Sequence, residues 1–347
     1  MFKFLLKSGL FIFPILILQV LTWVFYTPNK GDLLRIGYVA DWYPEYRSQF
    51  AKEYQKENGT LSITDLEKDQ MYDLLTIGDS FSEQGNTGYQ NYLATDFGLD
   101  VVHIDRKYHT NQIQTLVALA SSDFFELYRF RFALLQFVEA GTHGAAPLIQ
   151  EDSILGQREL SERELEKADR YTDPFVFPSD RVLKFPYYTL KRTLFPSLGC
   201  NQVYMVNLNA SPFSIPNQQL YFHASNPNWI NNNDEKDISD LNELLNRLSK
   251  KLESKGVQLM VLPVPDKLDF YHEDLKEQDR WECTRFFEIL GTLKNEYHWI
   301  NTLEQLKQSS VGLKDVYYFD DTHWSPVGAK LIAKIIASKI KIMDNGR

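Results

Sequence analysis

Cysteine is scarce in this sequence: Cys200 and Cys283 are the two in 347 residues. At most one bridge can form, and spacing does not decide between that bridge and two buried thiols. A long Lys/Arg block is also missing, and 37 basic residues face 46 acidic ones for a net charge of −9. A nucleic-acid partner needs a basic face to neutralise phosphates, so no nucleic acid is expected. No internal repeat or low-complexity tract interrupts the chain. Potential metal ligands cluster once, around residue 320, with no second clustered pair, so neither a metal nor another cofactor is expected.

The sharpest absence is local. After Lys3 and Lys7, no charged residue occurs from Ser8 to Asn29. About 20 apolar residues cross the hydrocarbon core of a bilayer, and Ser8 to Thr27 fits despite Pro14 and Gln19. Basic residues ahead of the span favour a cytoplasmic N-terminus. A cleaved signal peptide is the rival, against which no clear small-x-small site follows Val24. Residues 1–30 are therefore expected to be a membrane anchor or signal, with 31–347 as an extracytoplasmic domain in the periplasm or at the cell surface.

What is present reads as a parallel α/β domain. The 44% apolar and 24% charged composition supports a full core. The stretch "LLRIGYVADWYPEYRSQFAKEYQ" suggests a short strand, then a helix or a membrane-proximal segment. "MYDLLTIGDSFSEQGNTGYQNYLATDFG" suggests a buried strand at Asp73 to Ile77, a tight turn and a helix up to Phe97, with "LDVVHID" as the next strand. Around 142–198 the pattern loosens into an insertion or lid carrying the charged run "QRELSERELEKADR". An amphipathic helix "ISDLNELLNRLSKKLESKG", a buried strand "VQLMVLPVPDK", a helix–strand unit from Arg285 to Ile300 and a closing helix from Pro326 complete the chain. This order implies a three-layer α/β/α sandwich with a mostly parallel sheet.

Two short motifs carry chemistry. In "LLTIGDSFS", Ser80 follows a strand's carboxyl end at the start of a helix, where free N–H groups and the helix dipole can hold a developing oxyanion. The plain alternative is that Ser80 or Ser82 caps that helix. In "DDTHWSP", His323 can act as the base that a serine hydroxyl needs, and an aspartate just before it can fix the ring tautomer. That loop alone could equally be an exposed turn, a helix cap or a weak metal site. His103, His109 and His143 read as ordinary surface or interior histidines.

Taken together, "LLTIGDSFS", "VLPVPDK" and "DDTHWSPVGAKLIA" resemble the SGNH/GDSL esterase superfamily, most closely the branch of alginate O-acetylation proteins and related cell-envelope acetyltransferases. The resemblance spans 70–110 and 240–340, about 40% of the 347 residues. It implies Ser80 as nucleophile, His323 as base and Asp321 as the orienting acid, whereas ordinary GDSL spacing would assign Asp320. It further implies an O-acetyltransferase acting on a cell-envelope or secreted polysaccharide, with a membrane-bound O-acyltransferase partner delivering the acetyl group. An acetyl esterase with the same triad, or a non-catalytic polysaccharide-binding or assembly factor, are the rivals. Two departures stand out. The alginate proteins place their D-T-H-W loop ahead of the serine, the reverse of this chain. No "G-x-N-D" segment supplies an oxyanion asparagine, which leaves Lys267 or a backbone N–H for that task.

Overall fold

The computed structural model describes residues 2–26, 31–142, 144–163, 181–195, 199–223 and 234–345. His143 and, within the expected insertion at 142–198, residues 164–180 and 196–198 lie outside the described residues. The chain opens with helix α1 (Phe2–Phe25), whose segment Lys7–Phe25 is long and apolar enough to cross a membrane. Helix α2 (Asp32–Gly37) follows, where the sequence suggested a strand. A short apolar run fits either state, and here the Leu33 and Leu34 N–H groups are satisfied by the carbonyl of Asp320 rather than by a strand partner.

The sheet has six strands in the order β1-β3-β2-β4-β7-β8, and every pairing is parallel. They are β1 (Leu61–Ser62), β2 (Met71–Ile77), β3 (Val101–Ile104), β4 (Arg129–Val138), β7 (Gln258–Val264) and β8 (His298–Trp299). Strands β5 (Val203–Asn207) and β6 (Gln219–His223) pair antiparallel in a separate ribbon. Successive side chains alternate between faces, as the two-residue period of a strand requires. Leu74, Phe132, Leu134, Met260 and Leu262 enter one core, while Leu75, Ile77, Ala133, Leu135 and Val261 enter the other.

Helices α3 (Tyr89–Phe97) and, at the chain end, α9 (Pro326–Asn345) cover the first face. Helices α4 (Gln112–Ser121), α6 (Glu235–Glu253) and α8 (Phe286–Thr292) cover the second. Helix α5 (Arg181–Leu194) lies outside this sandwich against α1, and α7 (Lys267–Tyr271) starts directly after β7. The result is a three-layer α/β/α arrangement. Cys200 is buried, Cys283 is exposed, and no disulfide joins them.

Strand β2 neighbours both β3, which follows it, and β4 on its other side. The connection therefore reverses direction at the carboxyl end of β2, the place where open α/β sheets collect their ligands.

Candidate active site

Ser80 stands three residues past β2, half-buried, at the first position of a three-residue 3-10 turn, Ser80–Ser82. The sequence suggested the start of an α-helix here. Instead α3 begins only at Tyr89, because Gly85 takes a left-handed conformation (φ +54°) and Gly88 is extended. The free N–H groups at this end therefore belong to a short turn, and among the described residues no helix of useful length starts at Ser80.

The turn is held from below rather than by Ser80 or Ser82 capping. Asp79 Oδ1 accepts the Phe81 N–H at 3.0 Å and the Gln136 side-chain amide at 2.9 Å. Asp79 Oδ2 accepts the Val138 N–H at 2.7 Å, at the end of β4. The Ser82 hydroxyl donates to Gln136 Oε1 at 2.8 Å, and Asp79 N–H donates to the same oxygen at 3.0 Å. Gly78 makes this possible, since a Cβ there would sit 2.2 Å from both Gln136 Oε1 and Ser82 Oγ. The Ser80 carbonyl accepts the Glu83 N–H at 3.2 Å, which closes the turn, and the side-chain bonds pass Ser80 by. Its hydroxyl makes no hydrogen bond among the described residues.

The second half of the site is the loop before α9. Asp321 Oδ1 meets His323 Nδ1 at 2.5 Å and also accepts the His323 N–H at 3.1 Å. Asp320 faces away from the histidine and forms a two-pronged pair with Arg47, whose Nε lies 2.9 Å from Oδ2 and whose Nη2 lies 2.9 Å from Oδ1. Arg47 Nη2 also reaches Asp321 Oδ2 at 3.0 Å. The loop's geometry thus gives the two aspartates different partners, with Asp321 on the imidazole.

Three further supports hold this loop; sequence reasoning missed the first two and gave the third, Lys267, another task. Asp32, at the start of α2, accepts the Thr322 N–H at 2.8 Å and the Thr322 hydroxyl at 2.5 Å, and its Oδ2 lies 4.0 Å from His323 Nδ1. The Gly31 and Asp32 N–H groups donate to Asp320 Oδ2 and Asp321 Oδ2 at 3.2 and 3.3 Å. The segment entering α2 therefore lies directly on the histidine loop, so closely that a Cβ on Gly31 would fall 2.0 Å from the Asp320 carbonyl oxygen. Lys267 is the third. Its ammonium donates to the carbonyls of Tyr318, Phe319 and Asp321 at 2.7, 2.9 and 3.1 Å. An ammonium has three donors, so Lys267 has none left for an oxyanion, and the role suggested for it gives way to that of a loop clamp. Contacts separated by roughly 270–290 residues, such as Asp32 and Arg47 to this loop, leave no local signal; Lys267 stood out at a strand end, but as a candidate oxyanion donor.

The two halves meet through the residue after Ser80. The Phe81 ring lies 4.8 Å from the His323 ring and packs edge-on against Trp324 at 5.0 Å, and Gln84 Nε2 donates to the Trp324 carbonyl at 3.1 Å. Ser80 and His323 are not hydrogen-bonded to each other. His323 Nε2 is buried without a partner among the described residues.

Charge follows this layout. Burial would push His323 down, but the charge and hydrogen bond of Asp321, with help from Asp32 and Asp79, outweigh it and hold the imidazole at about 9. Burial would raise Asp321, yet His323 and Arg47 keep it well below the usual carboxylate range. Burial and the neighbouring Asp321 charge push Asp32 up to about 6. Burial takes Lys267 down to about 7.

Asp32, Asp321 and His323 bring potential ligand atoms within 4.8 Å of one another, as do the buried Glu139, Asp266 and Asp269. In the first group Arg47 and the imidazole already supply the positive charge. In the second, burial and Asp266 push Glu139 well above the carboxylate range, so a proton on Glu139 relieves the repulsion.

Comparison with known proteins bears on the C-terminal part of this arrangement. Residues 221–345 match the family described as the SGNH hydrolase-like domain of the acetyltransferase AlgX. A 117-residue stretch is 29% identical to the probable alginate O-acetylase AlgJ of Pseudomonas fluorescens, covering 31% of this chain and 28% of that protein. The match thus spans little more than a quarter of that relative's length. No solved structure matches the chain. The region matched by the family contains Asp321 and His323, and Ser80 lies outside it.

Proposed function

We propose, from the premise that residues 221–345 match the SGNH hydrolase-like domain of an acetyltransferase, that this chain transfers an acetyl group to hydroxyls of a cell-envelope or secreted polysaccharide through an ester on Ser80. The observation that carries the proposal is the Asp321–His323 pair at 2.5 Å, whose far nitrogen is buried, without a partner among the described residues, beside the Ser80 turn. That is the arrangement a serine needs, since its hydroxyl attacks only when a base takes its proton.

In the first step the Ser80 Oγ attacks the acetyl carbonyl and His323 Nε2 takes the hydroxyl proton. The tetrahedral oxyanion is met by backbone N–H groups of the turn. His323 then returns the proton to the departing donor group. In the second step a sugar hydroxyl attacks the acetyl-serine, His323 takes that proton, and the serine is released as its own hydroxyl. Asp321 fixes the Nδ1–H tautomer and stabilises the imidazolium in both steps. Asp32, Arg47 and Lys267 act through the loop and serve as positioning residues.

The apolar α1 serves in this reading as a retained anchor. Its end is built into the fold: Tyr26 is buried, its hydroxyl donates to the Arg35 carbonyl at 2.9 Å, and Asp41 N–H donates to the Phe25 carbonyl at 2.9 Å. A leader that is cut away gains nothing from such contacts. Only seven residue steps separate Phe25 from Asp32, so the histidine loop lies within about 25 Å of the end of the span. A site so near the bilayer suits an acetyl group handed over by a membrane-bound O-acyltransferase.

The test is product analysis with a chromogenic acetyl ester, with and without an oligosaccharide acceptor such as alginate fragments. Acetylated acceptor supports transfer. Release of acetate alone, unaffected by acceptor, makes the protein an esterase.

A further inference from the structure

We infer that α5 lies in the headgroup region of the membrane, with its apolar stripe in contact with lipid beside α1. The inference rests on reading α1 as a retained anchor. Leu183, Tyr187, Leu190 and Leu194 are all exposed, between 58% and 65%. Their spacing of four, three and four residues puts them on one stripe of a helix. Four large apolar side chains in a row facing water are costly for a soluble surface, and here the surface continues onto another apolar one.

The neighbour is α1. Phe185, Pro186, Thr189, Thr193 and one edge of the stripe residue Leu190 line an apolar groove of about 340 Å3 against Leu18, Leu21, Thr22 and Phe25. The exposed stripe adjoins this contact, so it continues the exposed apolar surface of α1, where Leu16, Ile17, Val20, Leu21 and Val24 also face outward.

The roll of α5 about its axis is fixed. Arg192 donates to the Gly37 carbonyl, Lys191 donates to the Gly199 carbonyl at 3.2 Å, and the Arg181 guanidinium sits 5.9 Å from the Tyr26 ring. These cationic groups are tied to the protein, which leaves the leucine stripe pointing away from the sandwich.

Depth agrees with an interfacial position. The 19 residues of Lys7–Phe25 rise about 28 Å as a helix, close to the roughly 30 Å hydrocarbon core. The groove begins at Leu18, about 10 Å along the axis before Phe25. An interfacial amphipathic helix buries its apolar face about 5–10 Å into the headgroup and acyl boundary. Trp23 and Trp42 are exposed at the same end, and Phe25 lies 5.5 Å from Trp42. Exposed aromatic rings at that level are what a membrane interface collects.

The experiment uses the full chain reconstituted in phosphatidylglycerol/phosphatidylethanolamine vesicles containing brominated lipid. Single-site labels with an environment-sensitive fluorophore are placed at Leu183→Cys, Tyr187→Cys and Leu194→Cys, stripe positions outside the groove, in a Cys283→Ser background, Cys200 being buried. Native Cys283, exposed on the domain, serves as the aqueous control and Phe11→Cys as the span control. Blue-shifted emission and bromine quenching at all three α5 positions and at Phe11→Cys, with neither at Cys283, is the expected result. Quenching at Phe11→Cys with water-like α5 labels overturns the inference and leaves the anchor intact, the outcome expected if a protein partner covers the stripe. Water-like labels at both helices overturn the inference together with the anchor reading.

Discussion

Replacing Asp32 by Asn removes a negative charge 4.0 Å from His323 Nδ1 while leaving an oxygen that can still accept from Thr322. Because His323 sits at about 9 rather than its ordinary 6.5, the resting imidazole is protonated at neutral pH and becomes a base only as pH rises. The free-enzyme activity, kcat/KM, should therefore climb with pH toward a midpoint near 9. Two unit charges at this distance interact by about 1 kcal/mol in water and about 4 kcal/mol at an effective dielectric of 20. Both side chains are 20% exposed, so solvent pulls the figure toward the lower end. At about 1.4 kcal/mol per unit, loss of the charge should lower the midpoint by roughly 1–2 units. The sign is fixed, because the removed anion favours the imidazolium. The raised His323, held up chiefly by Asp321, contributes stability that is complete below 6.5 and lost as pH rises through about 9. The assay is initial-rate hydrolysis of a chromogenic acetyl ester from pH 6 to 10, with thermal unfolding to check the fold. A variant midpoint equal to wild type, or higher, refutes the electrostatic coupling between the α2 segment and the histidine.

Other substitutions divide the site by role. Asp321→Asn should cut turnover by roughly a thousandfold or more with the fold intact, by analogy with the serine protease triad. Asp320→Asn should act mainly on stability, since Asp320 pairs with Arg47 and not with His323; the two turnover numbers decide the assignment. Lys267→Met leaves three loop carbonyls without their donor and should cost roughly 2–4 kcal/mol in denaturant unfolding. Gly31→Ala drives a Cβ into the Asp320 carbonyl, so it should displace the α2 segment and reduce kcat more than it changes KM.

How much of this was legible in the sequence depends on range. The strand "DLLTI" and the turn after it follow from a local apolar run and its punctuation, and β2 covers Met71–Ile77. The parallel sheet follows from the repeated strand–helix rhythm. The pairing of Asp321 with His323 is a two-residue matter, within reach of a motif. By contrast, the leucines of "LLRIG" had too short a pattern to separate strand from helix, and the Asp320 carbonyl decided the outcome from almost 290 residues away. Asp32 and Arg47 sit in no motif of their own. Their meaning is set by where the fold carries them, which no local spacing encodes. The helix expected directly after Ser80 failed because Gly85 and Gly88 break the chain path before Tyr89.

The most direct measurement of the central claim is intact-mass and peptide analysis of the full chain quenched during turnover of an acetyl ester. A mass gain of one acetyl group on the peptide carrying Ser80 is expected, absent in Ser80→Ala and slow to accumulate in His323→Ala. Acetylation that survives in Ser80→Ala, or full turnover by that variant, contradicts the serine acyl-enzyme.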